Sequence, residues 1–412
     1  MRKDELIIEI DGNPLGFNPL NCSDYNGFFL SQFLFFNLKD GVNCDIVTDD
    51  YITYNIILYE YLVSKGINSV HYVNTIIYYY NGKGYYKCFA PFIRKVKGIP
   101  CIEIVNRQAF RIVLWFPFKE FKKILQSRYI IPSTEKCFPV NCGYYKLIEV
   151  NNNCIKLESR EDYFKWSQIK LVNNTNPIVT KYLYENNKVD ITCHSNFSPI
   201  LESLIKANKV TNKGSLLLYI YIKDTVLADI FHLNKKYILE NIKINFGQYL
   251  DIIDSFFIDE EFYSDVIIKP FIKTKNKKYK ILYSNYFPNK EIANICKEFY
   301  LERGIEVELV EVQTLEQYFP IRKIFDMYIG VAYAKFNDYI CYCLEYALKL
   351  NIEDKKKFVR ALVERNFFNL HKLLENVNGY IPLALLKNSY YINDKAKDIK
   401  VSQFGEISFY ES

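Results

Sequence analysis

The sequence predicts an α/β chain in at least two lobes, with additional β structure in its first third. Three observations lead there. The chain has 412 residues, long for one core when domains run to about 100–200 residues. Residues 279–312 read as strand, helix, strand. Residues 46–140 read mostly as short strands and turns.

The βαβ unit is the clearest element. "YKILYS" (279–284) is a short apolar strand, and Pro288 then opens a helix where its missing N–H matters least. Ile292, Ile295, Cys296, Phe299 and Tyr300 follow at helical spacing, and Gly304 ends it. "IEVELVEV" (305–312) is the next strand, which makes the pair parallel with a right-handed crossover. "FDMYIGVAY" (325–333) adds a further strand to that sheet, and "SLLLYIYI" (215–222) suits a buried one.

Earlier in the chain, "IEIVNRQAFRIVLWF" (102–116) reads as a hairpin around Asn106 to Gln108, with a short helix at 118–126. Tyr144 to Val150 and Cys154 to Ser159 flank the turn Asn151, Asn152 and Asn153, a second hairpin. An acidic stretch, Glu158 to Asp162, and the aromatics Tyr163, Phe164 and Trp166 follow it; Gly143 precedes it. Residues 176–192 read as a helix running into a strand, 344–378 as helical, and 379–392 as strand.

Composition excludes several classes. Half of the residues are hydrophobic, so a sizeable core is expected rather than a disordered chain. A formal charge of +6 on this length lacks the concentrated basic face of a nucleic-acid binder. The start has no apolar leader stretch, no run approaches a membrane span, and eleven scattered cysteines show no framework spacing. These features predict a reducing, cytoplasmic setting with unpaired thiols. Cys142, beside Gly143, is expected to be one of them.

Catalytic signatures are missing. His71, His194, His232 and His371 lie too far apart for a metal motif. HExxH, paired CxxC, GxSxG and GxxxxGK[ST] do not occur. Cys341 and Cys343 read as core thiols, "GKG" (82–84) as a turn and the basic run 273–280 as a solvated loop. Aromatics make up 17% and are spread evenly, which suits a core. No enzyme, cofactor or metal is predicted.

The order of the segments then points further. "GNPLGFNPLNCSDYNGFFLSQFLFFNL" (12–38) resembles the opening of bacterial oligopeptide- and dipeptide-binding proteins, the substrate-binding subunits of peptide ABC importers. "VNRQAFRIVLWFPFKEFKKIL" (105–125) resembles that family's hairpin and helix. "CFPVNCGYYKLIEVNNNCIKLESREDYF" is similar to its P-V-G-T-G-P-Y segment with the hairpin after it. Residues 169–191, 279–312, 325–339 and 381–410 match later segments in order.

The resemblance implies a two-lobe periplasmic-binding-protein-like fold, type II, of the oligopeptide-binding cluster, with a β-rich extension of the first lobe. The first lobe is expected from 1–45, 141–215 and 375–412, its extension from 46–140, and the second lobe from 216–374. The implied function is capture of a peptide or peptide-like ligand in an interlobe cleft by hinge closure, for uptake through ABC permease subunits. The protein is expected to be a monomer, with no nucleic acid and no membrane insertion. The alternative is a cytoplasmic peptide or metabolite sensor acting through a protein partner. The family role is extracytoplasmic, whereas the N-terminus reads as cytoplasmic. The family is usually longer between residues 40 and 100.

Ligand-binding residues implied by the resemblance are Tyr25, Asn26, Cys142, Tyr144, Arg322, Tyr333, Lys335, Asn337 and Asp338. Lys335 falls where the family has the Asp that pairs with a peptide's α-ammonium; one gap would align Asp338 instead. The ligand is therefore expected to present an anionic or blocked end to Lys335. Arg322 would add a second positive charge, and Tyr25, Tyr144 and Tyr333 stacking surface.

Overall fold

The computed structural model describes residues 5–22, 24–84, 86–161, 165–193, 199–205, 209–255, 278–348, 350–375 and 379–408. Asp162, Tyr163, Phe164, His194 and most of the basic run 273–280 lie outside the described residues.

Three main sheets form the frame. In the first, Glu5–Ile10 pairs parallel with Gln168–Asn173, and Cys154–Ser159 and Tyr145–Val150 follow antiparallel. The hairpin at 145–159 forms because Asn151 Oδ1 accepts from the amides of Asn153 and Cys154, which closes the turn. Gly143 is required one step earlier. Its amide donates to Leu34 O at 2.8 Å, and a Cβ there would lie 2.3–2.5 Å from the backbone of Phe33, Leu34 and Phe35. The hairpin is thus seated on the end of the helix Tyr25–Leu34.

The second sheet has six strands in the order Leu250–Ile252, Tyr380–Tyr391, Lys209–Ile222, Met327–Tyr333, Tyr279–Ser284 and Val307–Val312. The βαβ unit is present: Tyr279–Ser284 and Val307–Val312 pair parallel, joined by the helix Asn289–Leu301, with Gly304 at φ +72 after its end. The third sheet, Cys44–Val47, Thr53–Leu58, Ala109–Val113 and Ile102–Ile104, is antiparallel throughout.

Two separate apolar cores result. One takes in the first and third sheets; the other packs around the βαβ unit. The long strands Lys209–Ile222 and Tyr380–Tyr391 pair with each other and join the two. Leu217 and Leu385 face the first core, while their neighbours Leu218 and Ala384 face the second. This is the alternation of a strand shared between two layers. A register shift between Asn212 and Leu216 surrounds Gly214, where a Cβ would sit 1.2 Å from Leu386 O.

Two expectations differ from the structure. After the helix Pro177–Glu185 no strand forms; only Ile191 bridges, to Ile8 and Ile392. The helices Ile340–Ala347, Ile352–Val363 and Phe367–Glu375 bury Tyr342, Leu344, Phe358 and Leu370 in the first core, although the sequence groups them with 216–374. The physical reason is their amphipathic faces. Their apolar stripes join the cluster that also holds Tyr86, Phe89 and Tyr129.

Candidate functional site

A cavity of about 520 Å³ lies between the two cores. Its walls come from the N-terminal segment (Asp11, Asp24, Tyr25), the second lobe (Ser284, Tyr286, Tyr318, Arg322) and the shared sheet (Tyr219, Tyr333, Tyr380). Tyr286 Oη reaches Asp11 O at 3.5 Å, a contact between the two sides.

The N-terminal wall is set by a helix cap. Asp24 Oδ1 accepts from Gly27 N at 2.8 Å and Oδ2 from Leu15 N at 3.1 Å and from the Cys22 thiol at 3.2 Å, so its carboxylate is spent within the N-terminal segment. Tyr25 then follows as the first helical residue, its ring edge-on to Tyr333 at 5.8 Å. Tyr333 Oη in turn meets Tyr129 Oη at 2.5 Å. Burial pushes the phenols of Tyr25 and Tyr333 well above the usual range, so both stay neutral hydroxyls.

The opposite wall is an aromatic box around a guanidinium. Arg322 stacks over Phe319 at 5.0 Å, Tyr328 at 5.8 Å and Tyr318 at 6.0 Å. Its Nε is buried without a hydrogen-bond partner, and among the described residues no carboxylate pairs with it. Tyr219 and Tyr380 complete the box, 5.6 Å apart between ring centres. Tyr219 can lie flat because its cross-strand partner is Gly330, where a Cβ would come within 2.4 Å of the ring.

Lys335 lines the cavity, but its charge is not available as expected. Its Nζ lies 2.7 Å from the Glu345 carboxylate, and both are largely buried. Burial alone would lower the ammonium; Glu345 more than offsets this and holds it above its ordinary value. The pair is a self-neutralised unit in the wall, so the expected attraction of an anion to Lys335 is corrected by a carboxylate from the next helix.

Of the sequence-derived residues, Tyr25, Arg322, Tyr333 and Lys335 meet in the lining. The others do not belong to it. Asn26 stands behind the wall, donating to Asp11 Oδ1 at 2.8 Å and Gly12 O at 2.9 Å. Tyr144 packs edge-on against Phe36 at 4.7 Å, in the first core. Cys142 packs against the same core, and burial pushes its thiol up to about 11, away from reactivity. Asn337 is exposed, and Asp338 pairs with Lys123 at 2.6 Å while capping the helix at Ile340. Asn26, Asn337 and Asp338 are close to lining residues in sequence but do not line the cavity, while no residue near Cys142 and Tyr144 in sequence lines it.

Sequence reasoning missed Glu345, Tyr219, Tyr318 and Tyr380. The alternation Tyr219, Tyr221 in an otherwise aliphatic strand was a usable signal. Nothing in the sequence marks Glu345 as the partner of Lys335. Among the described residues, no group of three or more His, Cys, Asp or Glu side chains is placed to hold a metal ion. No described helix is long and apolar enough to cross a membrane.

No protein-family model and no curated protein sequence matches the chain. Solved structures do. The periplasmic oligopeptide-binding protein OppAIV from Borrelia burgdorferi superposes with a TM-score of 0.77 at 15% identity, over 98% of this chain and 98% of that one. The fold is that of the oligopeptide-binding periplasmic proteins. The murein tripeptide-binding protein MppA of Escherichia coli, of the same fold, gives 0.74 at 14% identity over 98% and 96%. Its unliganded open form gives only 0.57 at 14% over 98% and 95%.

Proposed function

We propose that the chain is a solute-binding protein that captures a short peptide or peptide-like molecule between its lobes and delivers it to an ABC importer. The carrying observation is the Arg322 box. A guanidinium held among aromatic rings, with a buried Nε and no carboxylate paired with it among the described residues, is poised for a carboxylate from the ligand. The tyrosines supply flat, neutral surface and hydroxyls for a peptide backbone. At about 520 Å³ the cavity is in the range of small-molecule sites.

The neighbours named above bind oligopeptides and a murein tripeptide, which supports the ligand class. The Lys335–Glu345 pair leaves no net anion at that point of the wall, so a ligand with a blocked or neutral amino end suits it better than a free ammonium. The site has no activated nucleophile: the buried phenols and thiols near it are pushed up, not down. Binding without chemistry is the reading that fits.

The importer role places the protein outside the membrane it serves, and fractionation of the native host checks that. Native mass spectrometry of protein purified from that host tests the ligand class. A bound species of short-peptide mass bearing a carboxylate is the expected result; a bound sugar or a nucleotide would overturn it.

A further inference from the structure

The β-rich region carries a feature unrelated to the cavity. Residues Lys95–Val96 and Ile99–Pro100 form a projecting hairpin closed by Lys97 and Gly98, at φ +53 and +83. Two consecutive positive φ values make the tight turn whose twist matches the strands. Val96 and Ile99 are the cross-strand pair beside the turn, and they are 50% and 69% exposed.

Trp115, 54% exposed, lies on the strand-like segment alongside, where its amide donates to Phe92 O at 3.0 Å. On the hairpin and the chain before it the charges have one sign. Arg94, Lys95 and Lys97 are exposed on the hairpin, and Lys83 and Lys87 are exposed nearby in the chain. No Asp or Glu occurs between Glu60 and Glu103. Glu103 is itself paired with Arg111, and Asp50, across the neighbouring strand, is tied to the amides of Ile52 and Thr53.

We propose that this hairpin is a peripheral docking element for an anionic lipid bilayer. Val96, Ile99 and Trp115 would enter the headgroup region while Arg94, Lys95 and Lys97 meet lipid phosphates and carboxylates. An exposed aliphatic pair at a hairpin tip loses contact with water only if something covers it, and a Trp beside it suits the interface of a membrane. The surrounding cations select an anionic surface. The hairpin also stands clear of the cavity, so docking leaves the ligand site open.

Vesicle co-sedimentation of the full chain tests this, with phosphatidylcholine vesicles and with vesicles containing phosphatidylserine. Binding should require phosphatidylserine and weaken with added salt. The triple variant Arg94→Gln, Lys95→Gln, Lys97→Asn keeps a residue that suits the turn, and it should bind about a hundredfold more weakly. Val96→Ser with Ile99→Ser should also weaken binding, with an unchanged melting temperature as proof of folding. Failure to bind either vesicle, equal binding to both, or undiminished binding by the variants overturns the proposal. So does hairpin-dependent capture of a permease protein without any vesicle binding. None of these outcomes bears on the cavity, which is read separately by ligand titration.

Discussion

At the scale of single residues, two buried charges decide what the protein tolerates. Lys335 and Glu345 form an ion pair at 2.7 Å in the cavity wall. Removing Lys335 leaves the Glu345 carboxylate buried without its cation, at a cost of about 3–5 kcal/mol, while replacing both with apolar residues is near neutral. Lys335→Met should therefore lower stability far more than Lys335→Met with Glu345→Leu, as read by urea unfolding. Equal losses would mean the pair is not coupled. Arg128 is the second case: it is buried over the Phe28 ring, with Glu406 at 3.9 Å and Phe404 O at 3.3 Å. Burial would raise the Glu406 carboxyl, but Arg128, Lys39 and a hydrogen bond with Asn337 together outweigh it and hold it below the ordinary value of 4.5. The unfolded chain takes up that proton more readily than the folded one. The stabilisation is thus complete above the ordinary carboxylate range and is lost as pH falls through the lowered value. Glu406→Gln should lower the melting temperature at neutral pH and flatten its decline on the acid side; an unchanged acid limb would remove Glu406 from the account.

At the scale of elements, close backbone approach matters as much as apolar pattern. Gly143→Ala would drive a Cβ into the end of the helix Tyr25–Leu34, where the obstructing atoms are backbone and cannot turn aside. A loss of about 1–3 kcal/mol is expected, and a melt within error of wild type would show that the hairpin is not seated there. Gly330→Ala acts differently, since the obstacle is the Tyr219 ring. That ring should be pushed from the sheet into the cavity, so ligand affinity should fall more than stability. These contrasts explain what was legible in the sequence. The βαβ unit and both hairpins announce themselves through period and turn residues, because local chemistry closes them. The resemblance brought out Tyr25 and Tyr333 because they sit in segments whose order is recognisable, and Arg322 because it lies just before one of them. Glu345 was hidden because its contact with Lys335 depends on how the helix Ile340–Ala347 packs, a tertiary fact with no periodic trace. Asn26, Asn337 and Asp338 were misplaced because being near a lining residue in sequence does not fix which side faces the cavity, and Cys142 and Tyr144 because their whole segment packs on the first core.

At the scale of the whole molecule, the two lobes share the paired strands Lys209–Ile222 and Tyr380–Tyr391, so closure must flex them where pairing is irregular. There are two such places, the register shift around Gly214 and a second between Leu218 and Tyr219. Small-angle scattering should show a more compact particle with ligand than without it, and identical curves would argue against hinge closure. The central claim is that the cavity between the lobes takes the carboxylate of a peptide-like ligand at Arg322. Calorimetric titration of one tripeptide, with a free carboxylate and as its C-terminal amide, into wild type and Arg322→Gln tests it most directly. A charge-assisted hydrogen bond of about 1.5–3 kcal/mol predicts that wild type prefers the acid by roughly ten- to a hundredfold, and that Arg322→Gln loses the preference. Equal binding of acid and amide by wild type, or a preference for the acid that survives in Arg322→Gln, would contradict it.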